Sequence, residues 1–499
     1  MKRGIALLCC LVMLLGIFAG CAKKNDDPEE TTSEVVTDIT EEGTTDRVLE
    51  TDDRGFIKDF IPEDKKFGGK ELKIIGWKDE GGKKDFNVDY SNGDTIARAT
   101  FTRNNMVGTR LGLVLNFDLS LLGDNANRAD YVAAVEKNMG AGASYDLIAC
   151  YSQCAANFAM DGYVVDLMKY DEVFNFDMPW WSEDLTKYSM VNEKLYFASG
   201  PISTTNMLET FFLAVNTQMI ETMQRQDPRD LVSSGDWTME EFYTLCKDTY
   251  VNTNTEALKD AGDTYGFTSV DEVVIDGFFS GNGLRYYETE EDGRLILSPQ
   301  FKSAKTEALI AELRAKFNTN DFYYGGGNSP IFNAGRAMFM STTFTVMMAH
   351  KESIDKAGFS YGYVPFPKAD TDQEEYYSTS GYPFTMWSIT TGTVNGEAAA
   401  YAMECLASEG YRKVQPVIAD HLKNKINDEA KNIEMFNVIM ESKTYDMGRI
   451  FINAGDWDDC AVAQFRRALK NNTNWITQVT EHEAPLQATI DAINQSFGY

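Results

Sequence analysis

The sequence predicts an α/β protein with two lobes, and two observations lead to this fold class. The first is the order strand, helix, strand, helix, strand over residues 72–150, with short connections, which is typical of a parallel sheet wrapped by helices. The second is length, because the chain has 499 residues. A single hydrophobic core stops growing at roughly 250–300 residues, so more than one core is expected.

The first half of the folded body alternates strands and helices. Strands are predicted at residues 72–76, 113–117 and 145–150, and helices at 95–111 and 128–139, where apolar residues recur at helical spacing. Gly112 follows the first helix as its stop signal. In parallel sheets ligands bind outside the carboxyl ends of the strands. The loops after Gly76 and Cys150 are therefore expected at the same mouth.

A second strand, helix, strand pattern follows later in the chain. Strands are predicted at 337–343 and 359–364 around a helix that ends at Gly358. Pro365 and Pro367 end the second strand because proline cannot donate to a ladder. Beyond Gly396 the chain is mostly helical, at 397–408, 428–443, 462–470 and 483–497. These helices have no strands of their own, so we expect them to pack on earlier strands.

The N-terminus resembles a bacterial lipoprotein signal. Lys2 and Arg3 precede an apolar run of about fourteen residues. Residues 15–21 read LGIFAGC and are similar to a lipobox, with Phe18 where that motif more often has leucine. The resemblance implies that residues 1–20 are removed and that Cys21 carries lipid, which binds the protein to the outer face of the cell membrane. The alternative is an uncleaved membrane anchor, but the apolar run is shorter than the roughly 20 residues that a spanning helix needs.

Residues 21–66 are predicted to form a disordered acidic tether. They include DDPEE at 26–30 and EEGTT at 41–45, with almost no aromatic residue before Phe56. Such composition buries too little apolar surface to offset the entropy of ordering. The whole chain has a formal net charge of -30. That charge repels phosphate backbones, so nucleic acid is not an expected partner.

Cysteine usage argues against a disulfide framework. The chain has eight cysteines, of which Cys9 and Cys10 belong to the signal and Cys21 is the predicted lipidation site. An odd number then remains, so we predict buried free thiols at Cys150, Cys154, Cys246, Cys405 and Cys460. The chain contains three histidines, too few to favour a zinc site beside such thiols. No metal or cofactor is predicted.

Several short stretches together resemble the extracellular solute-binding proteins of ABC importers, family 1, in their saccharide-type branch. Each stretch alone is a weak signal, and their order and spacing carry the resemblance. They are GDTI at 93–96, TRNN at 102–105, YDLI at 145–148, PWW at 179–181, LYFASGPIS at 195–203, GDWT at 235–238, GYVPFPK at 362–368 and YDMG at 445–448.

The resemblance implies a type II periplasmic-binding-protein-like fold with three crossings between two lobes, each a sheet flanked by helices. The first lobe would be 67–200 plus 343–394, and the second 201–342 plus 395–499. A monomer of this kind binds solute in the cleft and delivers it to separate permease subunits, without catalysis. The branch is common in Gram-positive bacteria, although Ala22 does not decide the type of envelope.

The residues at the expected mouth suit a saccharide. A pyranose offers an apolar face and a rim of hydroxyls, so its site needs aromatic platforms and hydrogen-bonding groups. The ligand-binding candidates are Trp77 and Asp79 after the first strand, Tyr151 and Ser152 after the third, and Tyr382, Trp387 and Trp457 in later segments. Trp180 and Trp181 are predicted instead to pack in the interior.

Two other functions remain open at this stage. An anchored carbohydrate-active enzyme would need two carboxylates roughly 5–10 Å apart. Acidic pairs such as Glu240 and Glu241 exist, but adjacent carboxylates usually face solvent, and the chain has no GxSxG or HExxH motif. A surface carbohydrate adhesin would lack a closing cleft. Turnover of glycosides would distinguish an enzyme from a receptor. Ligand-induced compaction in solution would distinguish a receptor from an adhesin.

Overall fold

The computed structural model describes residues 49–78, 85–86, 94–142, 144–253, 259–324, 327–426, 429–471 and 473–499. The chain divides into two compact units, 1–58 and 59–499. In the first unit, Thr51 and Ile57 form an isolated bridge. The predicted signal, Cys21, the tether up to residue 48 and the candidate Asp79 lie outside the described residues. None of the helices described is long and apolar enough to cross a bilayer.

The second unit contains strands and helices in alternation. The strands are β1 Lys70–Gly76, β2 Leu113–Asp118, β3 Leu147–Tyr151, β4 Phe211–Asn216, β5 Tyr265–Ser269, β6 Tyr287–Thr289, β7 Leu295–Leu297, β8 Phe322–Tyr323, β9 Ala337–Thr343, β10 Tyr361–Val364, β11 Ser378–Thr379, β12 Thr385–Ile389 and β13 Lys443–Thr444.

The α-helices are α1 Thr95–Leu111, α2 Arg128–Gly140, α3 Ser152–Met160, α4 Glu183–Ser189, α5 Thr204–Leu208, α6 Thr217–Thr222, α7 Pro228–Ser234, α8 Met239–Cys246, α9 Asp276–Gly281, α10 Ala304–Phe317, α11 Ser329–Asn333, α12 Phe344–Ala357, α13 Gly396–Glu409, α14 Gln415–Asp420, α15 Ala430–Glu441, α16 Met447–Ile450, α17 Ala461–Lys470, α18 Trp475–Glu481 and α19 Glu483–Ser496. Single turns of 3₁₀-helix lie at Leu167–Tyr170 and Trp457–Asp459. Two π-helical turns lie at Gly410–Val414 and His421–Ile426.

The first sheet has the order β12-β3-β1-β2 and confirms the predicted parallel arrangement. Strand β1 pairs in parallel with β2 and β3, while β12 adds to β3 in the antiparallel sense. Helix α1 has the predicted bounds because both ends are capped. The Asp94 side chain accepts a hydrogen bond from the amide of Ala97, and Gly112 is left-handed with φ 59°.

The second sheet has the order β10-β4-β9-β5-β8. Strand β5 is parallel to β8 and β9, whereas β4 is antiparallel to both β9 and β10. All residues of β4, β5, β9 and β10 are buried, as in a sheet covered by helices on both faces. Two short pairs, β11 with β13 and β6 with β7, complete the strands described.

The chain passes between the two sheets three times. It leaves the first sheet before β4, returns to it at β12, and reaches the second sheet again where α15 packs on β10. Helix α13 packs on α1 and β12, on the first sheet. Strand β10 and helix α13 therefore lie on the opposite sheet from the one assigned to them by the sequence. The lobe boundaries at 343–394 and 395–499 remain predictions that these two placements do not favour.

The folded body begins earlier than the predicted start at residue 67. Asp59 is buried between helices, where it accepts hydrogen bonds from Arg110 at 2.5 Å and Arg412 at 2.7 Å. Ile61 is buried, and the Phe60 ring lies 6.4 Å from that of Trp180. Residues 59–66 are thus part of the packed body rather than the end of the tether. The sequence did not indicate that Asp59 is buried, because composition does not distinguish one buried aspartate from the solvated acidic residues around it.

Interior packing of the cysteines and of two tryptophans agrees with the sequence prediction. Every cysteine in the described residues is free and buried. Trp180 and Trp181 are also buried, and each indole Nε1 donates to the Glu404 carboxylate, at 2.9 and 2.8 Å. Asn175 Nδ2 donates to the same group at 2.9 Å. Burial raises the pKa of Glu404 to about 7, although these hydrogen bonds oppose the shift.

Glu404 is expected to make stability depend on pH. Its folded-state pKa lies above the unfolded value of about 4.3, so the folded state binds more protons between these values. The free energy of unfolding is therefore expected to fall by about 2–3 kcal/mol as pH rises from 4.3 to 7. Urea denaturation at several pH values measures this, with Glu404→Gln reducing the slope and exposed Glu397→Gln leaving it unchanged. Equal slopes in all three proteins would contradict the assignment.

Candidate ligand-binding cleft

Hydrogen bonds join the residues that follow β3 to two later segments of the chain. Ser152, at the first residue of α3, donates through Oγ to the Tyr382 carbonyl at 2.6 Å. Gln153 accepts a hydrogen bond from Asn453 at 2.9 Å. Both residues directly follow β3, so this contact lies at the carboxyl end of a central strand. The structure therefore brings together Ser152 and Tyr382, two of the predicted candidates.

An ionic group that the sequence prediction missed lies beside Tyr382. The carboxylate of Asp276 is fully buried and is paired with both Arg449 and Arg466. Arg466 donates to Asp276 through Nε at 2.8 Å and Nη2 at 2.5 Å, and also to the Tyr382 hydroxyl at 3.2 Å. The Arg449 guanidinium lies 4.5 Å from the centroid of the Tyr382 ring. Two arginines with one aspartate leave a positive charge against this aromatic face.

Three tyrosines at this edge keep neutral hydroxyl groups. Burial raises the pKa of Tyr382 to about 12, although Arg449 and Arg466 oppose the shift. Burial also raises the pKa of Tyr151 and Tyr324. Among the residues that the structure describes, the buried Tyr324 hydroxyl has no hydrogen-bond partner. Neutral phenols both donate and accept hydrogen bonds, which is the capacity that a hydroxyl-rich ligand requires.

Trp77 and Tyr151 meet edge to face, with ring centroids 5.4 Å apart. The Trp77 side chain is only 2% exposed, and its Nε1 donates to Thr385 Oγ1 at 2.8 Å. Trp77 therefore supports Tyr151 from the interior and presents no open face in this structure. Its predicted role as an aromatic platform stays a prediction.

The two other tryptophan candidates have opposite environments. Trp387 lies within β12, is 1% exposed, and packs against the rings of Phe86 and Phe117. Trp457 is 49% exposed, with the Arg466 guanidinium 5.7 Å from its ring centroid. The structure thus joins Trp457 to the group around Tyr382 and places Trp387 in the core.

A buried carboxylate holds the first crossing against the first sheet. Asp85 accepts hydrogen bonds from Ser203 at 2.9 Å, from the amide of Thr205 at 2.9 Å and from Thr385 at 2.5 Å. The buried guanidinium of Arg103 donates to the Ile202 carbonyl at 2.6 Å. The stretches TRNN and LYFASGPIS contain some of these partners, but nothing local in the sequence indicated that Asp85 would join them.

The side chains around Tyr382 leave little open space between them in this structure. A cavity of about 10 Å³ is lined by Ser152, Tyr382, Phe384, Arg449 and other residues of the group. Small-molecule sites typically measure 300–1,000 Å³. A saccharide could reach these side chains only after the residues on the two sides of this small cavity move apart. Within the described residues no cluster of three or more His, Cys, Asp or Glu side chains could hold a metal ion.

No protein-family model matches the chain. No curated protein matches it in sequence. Comparison with solved structures, however, finds proteins of similar fold. The extracellular solute-binding protein from Staphylococcus aureus in complex with maltose has a TM-score of 0.56 and 10% identity, covering 85% of this chain and 99% of its own. The chain has the two-lobe periplasmic-binding-protein-like fold.

Two further structures support the same fold. The maltose-binding periplasmic protein MalE from Listeria monocytogenes, in complex with maltose, has a TM-score of 0.52 and 15% identity, covering 86% of this chain and 99% of its own. The galacto-N-biose-/lacto-N-biose I-binding protein of the ABC transporter from Bifidobacterium longum has a TM-score of 0.54 and 9% identity, covering 85% and 98%. The predicted fold class is confirmed.

Proposed function

We propose that this protein is a lipid-anchored extracellular receptor that binds a mono- or oligosaccharide and delivers it to the permease of an ABC transporter. One observation carries the proposal: the edge of the cleft combines exposed Trp457, the neutral Tyr382 hydroxyl and the paired guanidinium of Arg466. An aromatic face beside hydrogen-bonding groups matches the two surfaces of a pyranose. The similarity to sugar-binding structures supports the same ligand class.

The proposed mechanism is closure around the solute rather than catalysis. In this mechanism the contact of Gln153 with Asn453, which joins the residues after β3 to the segment after α16, would separate on opening. A ligand that contacts both edges stabilises the closed form by its differential affinity for the two states. A permease that recognises the closed form then selects the loaded receptor. Cys21 would hold the receptor at the membrane, where tethering raises its effective concentration.

Saccharide binding is expected to depend on Trp457. Truncating it to alanine removes an exposed aromatic face and should weaken binding about tenfold, which corresponds to about 1.4 kcal/mol. Tryptophan fluorescence of the purified protein, titrated with neutral mono- and oligosaccharides, measures the affinity. Trp457→Phe should restore part of the loss. Tyr499→Ala, which removes another partly exposed ring, is the matched control and should leave affinity unchanged.

The titration also tests the proposed function as a whole. A change in fluorescence that saturates with at least one saccharide is the expected result. Binding that appears only with peptides or metal ions would contradict the saccharide class. Turnover of a chromogenic glycoside would instead support an enzyme.

A further inference from the structure

Helix α4 and the turn that follows it are attached to the edge of the first sheet. Ala198 and Trp387 of β12 exchange two backbone hydrogen bonds, at 3.0 and 2.9 Å. The amide of Ser182, just before α4, donates to the Ser199 carbonyl at 3.0 Å. The turn at 191–194 is closed by a bridge between its first and last residues. The whole segment therefore starts and ends at the first sheet.

The elements that face this segment are attached to the second sheet. Phe278 of α9 packs against Phe267 of β5, with ring centroids 5.7 Å apart. Phe279 of the same helix stacks at 4.2 Å on Tyr286, which leads into the hairpin of β6 and β7. Asn494 of α19 exchanges two hydrogen bonds with the backbone of β7, at 2.9 and 2.8 Å. The hairpin and the C-terminal helix are thus linked to each other and, through α9, to the second sheet.

Arg285, just before the hairpin, makes the first set of contacts with α4. Its guanidinium carbon lies 3.4 Å from the ring centroid of Tyr188, and one of its nitrogens lies 3.5 Å from the Asp184 carboxylate. The same guanidinium donates to the Thr444 hydroxyl at 2.8 Å and to the Tyr445 carbonyl at 2.6 Å. An arginine is attracted both to an aromatic face and to a carboxylate. Arg285 therefore holds α4 against the residues that precede the hairpin.

The turn after α4 makes a second set of contacts, with the hairpin and the C-terminus. The amide of Asn192 donates to the Gly293 carbonyl, in the loop between β6 and β7, at 3.0 Å. Asn192 Nδ2 and Lys194 Nζ both donate to the Phe497 carbonyl, at 2.9 and 2.6 Å. The rings of Tyr196 and Phe497 meet edge to face at 4.8 Å. This carbonyl lies at the C-terminal end of α19, where a cation is favoured by the helix dipole.

The backbone of this turn is strained. Asn192 and Glu193 have φ angles of 51° and 56°, in the left-handed region. Two-residue hairpin turns of type I′ need this conformation and prefer asparagine followed by glycine. Glutamate in the second position has a side chain that disfavours it. Such strain persists only where the surroundings fix it, and the contacts of Asn192 and Lys194 do so here.

We propose that these two sets of contacts form a clasp, residues 184–196 against residues 285–293 and Phe497, that holds the closed form before a saccharide binds. The inference rests on the closure described under the proposed function. The apparent affinity of a ligand is its intrinsic affinity multiplied by the fraction of protein in the binding-competent form. The clasp raises that fraction, although its residues are different from Tyr382 and Trp457, which are proposed to contact the saccharide.

Combined Asn192→Gly and Arg285→Met tests the clasp, because it removes one amide and one guanidinium while glycine keeps the left-handed turn. Small-angle scattering of the ligand-free variant should give a larger radius of gyration than the unmodified protein. The affinity for the saccharide that saturates the fluorescence titration should fall about fivefold or more. The same saccharide at saturation should restore the compact form. Lys194→Met alone should change both quantities in the same direction and by less.

The matched control combines Arg314→Met and Asn318→Ala. Arg314 donates to two backbone carbonyls after α17, both at 3.0 Å, and Asn318 donates to the Arg314 carbonyl at 2.9 Å. The control therefore removes the same two kinds of group outside the clasp. Its radius of gyration and its saccharide affinity should equal those of the unmodified protein.

Hydrogen exchange of the ligand-free proteins distinguishes opening from local loosening. If the clasp holds the closed form, the clasp variant should exchange faster in Ser152–Met160, because the contact of Gln153 with Asn453 separates on opening. Faster exchange confined to residues 184–196 and 285–293, an unchanged radius of gyration, or equal effects in the control would overturn the proposal. If no saccharide binds, the proposed function fails, while the two ligand-free measurements still decide whether the clasp holds the closed form.

Discussion

Replacing Asp276 by asparagine is expected to lower the free energy of unfolding by about 3–5 kcal/mol, because removing one partner of a buried ionic group leaves the other charges uncompensated. The Asp276 side chain is fully buried, and those of Arg449 and Arg466 are 5% and 11% exposed. An amide can accept only part of their hydrogen bonds, and it brings no negative charge. Urea denaturation followed by circular dichroism at neutral pH measures the loss.

The matched control for Asp276→Asn is Asp458→Asn. Asp458 also pairs with an arginine, Arg467, at 2.5 Å, but its side chain is 75% exposed. Pairs in solvent contribute about 0–1 kcal/mol, so this variant should lose little stability. A similar loss in the two variants would mean that burial does not determine the contribution of Asp276. Asp276 with its two arginines would then not be needed to fix the wall of the cleft.

The Asp276 group links stability to the proposed function. It holds Arg466 against the Tyr382 hydroxyl and Arg449 over the Tyr382 ring. Asp276 begins α9, whereas the arginines lie on α16 and α17, so three separate helices position one aromatic ring. A ligand contacting Tyr382 would meet a surface organised before binding, which lowers the entropy cost of association.

Local patterns were sufficient to predict the three parallel strands of the first sheet, but not its fourth strand, β12. The bounds of α1 follow from Asp94 and Gly112, both visible in the sequence, and the strands around it are short apolar runs. Parallel pairing of β1, β2 and β3 then follows from the alternation of strands and helices. Every step depends on residues close together in the chain.

The sheet to which a later element belongs depends on partners far away in sequence. Strand β10 pairs with β4, so Tyr363 faces Ala214, about 150 residues earlier. The apolar run at 359–364 shows that a strand forms, but not which edge receives it. Helix α13 likewise has an apolar composition that would suit either sheet. For this reason the sequence predicts both elements, while the lobe to which each belongs stays a prediction.

The same reasoning applies to the candidate site. Trp77, Trp387 and Trp457 look alike in the sequence, yet their exposed fractions are 2%, 1% and 49%. Trp387 packs against Phe86, and Trp77 donates a hydrogen bond to Thr385. Each tryptophan is therefore buried by a residue from another segment of the chain. Asp85 and Asp276 look like ordinary acidic residues of an acidic chain. Only tertiary packing distinguishes them from solvated carboxylates.

A chain that begins at Phe67 is expected to be about 3 kcal/mol less stable at pH 7 than one that begins at Leu49, since it lacks a buried partner of two arginines. Burial alone would raise the pKa of Asp59, but hydrogen bonds from Arg110 and Arg412 lower it to about 2. The folded-state pKa then lies below the unfolded value of about 3.9. The stabilisation is therefore present above about pH 4 and is lost as pH falls toward 2.

Asp59→Asn in the longer chain should reproduce most of this loss, because it removes the charge and keeps residues 49–66. Glu409 remains near both arginines, at 2.8 Å from Arg412 and 3.5 Å from Arg110, and limits the effect. Exposed Asp53→Asn is the control and should change little. If the two chain lengths were equally stable, residues 59–66 would behave as tether. If shortening destabilises the protein, residues 59–66 belong to the folded body, and the hydrogen bonds of Asp59 with Arg110 and Arg412 account for the stability that they contribute.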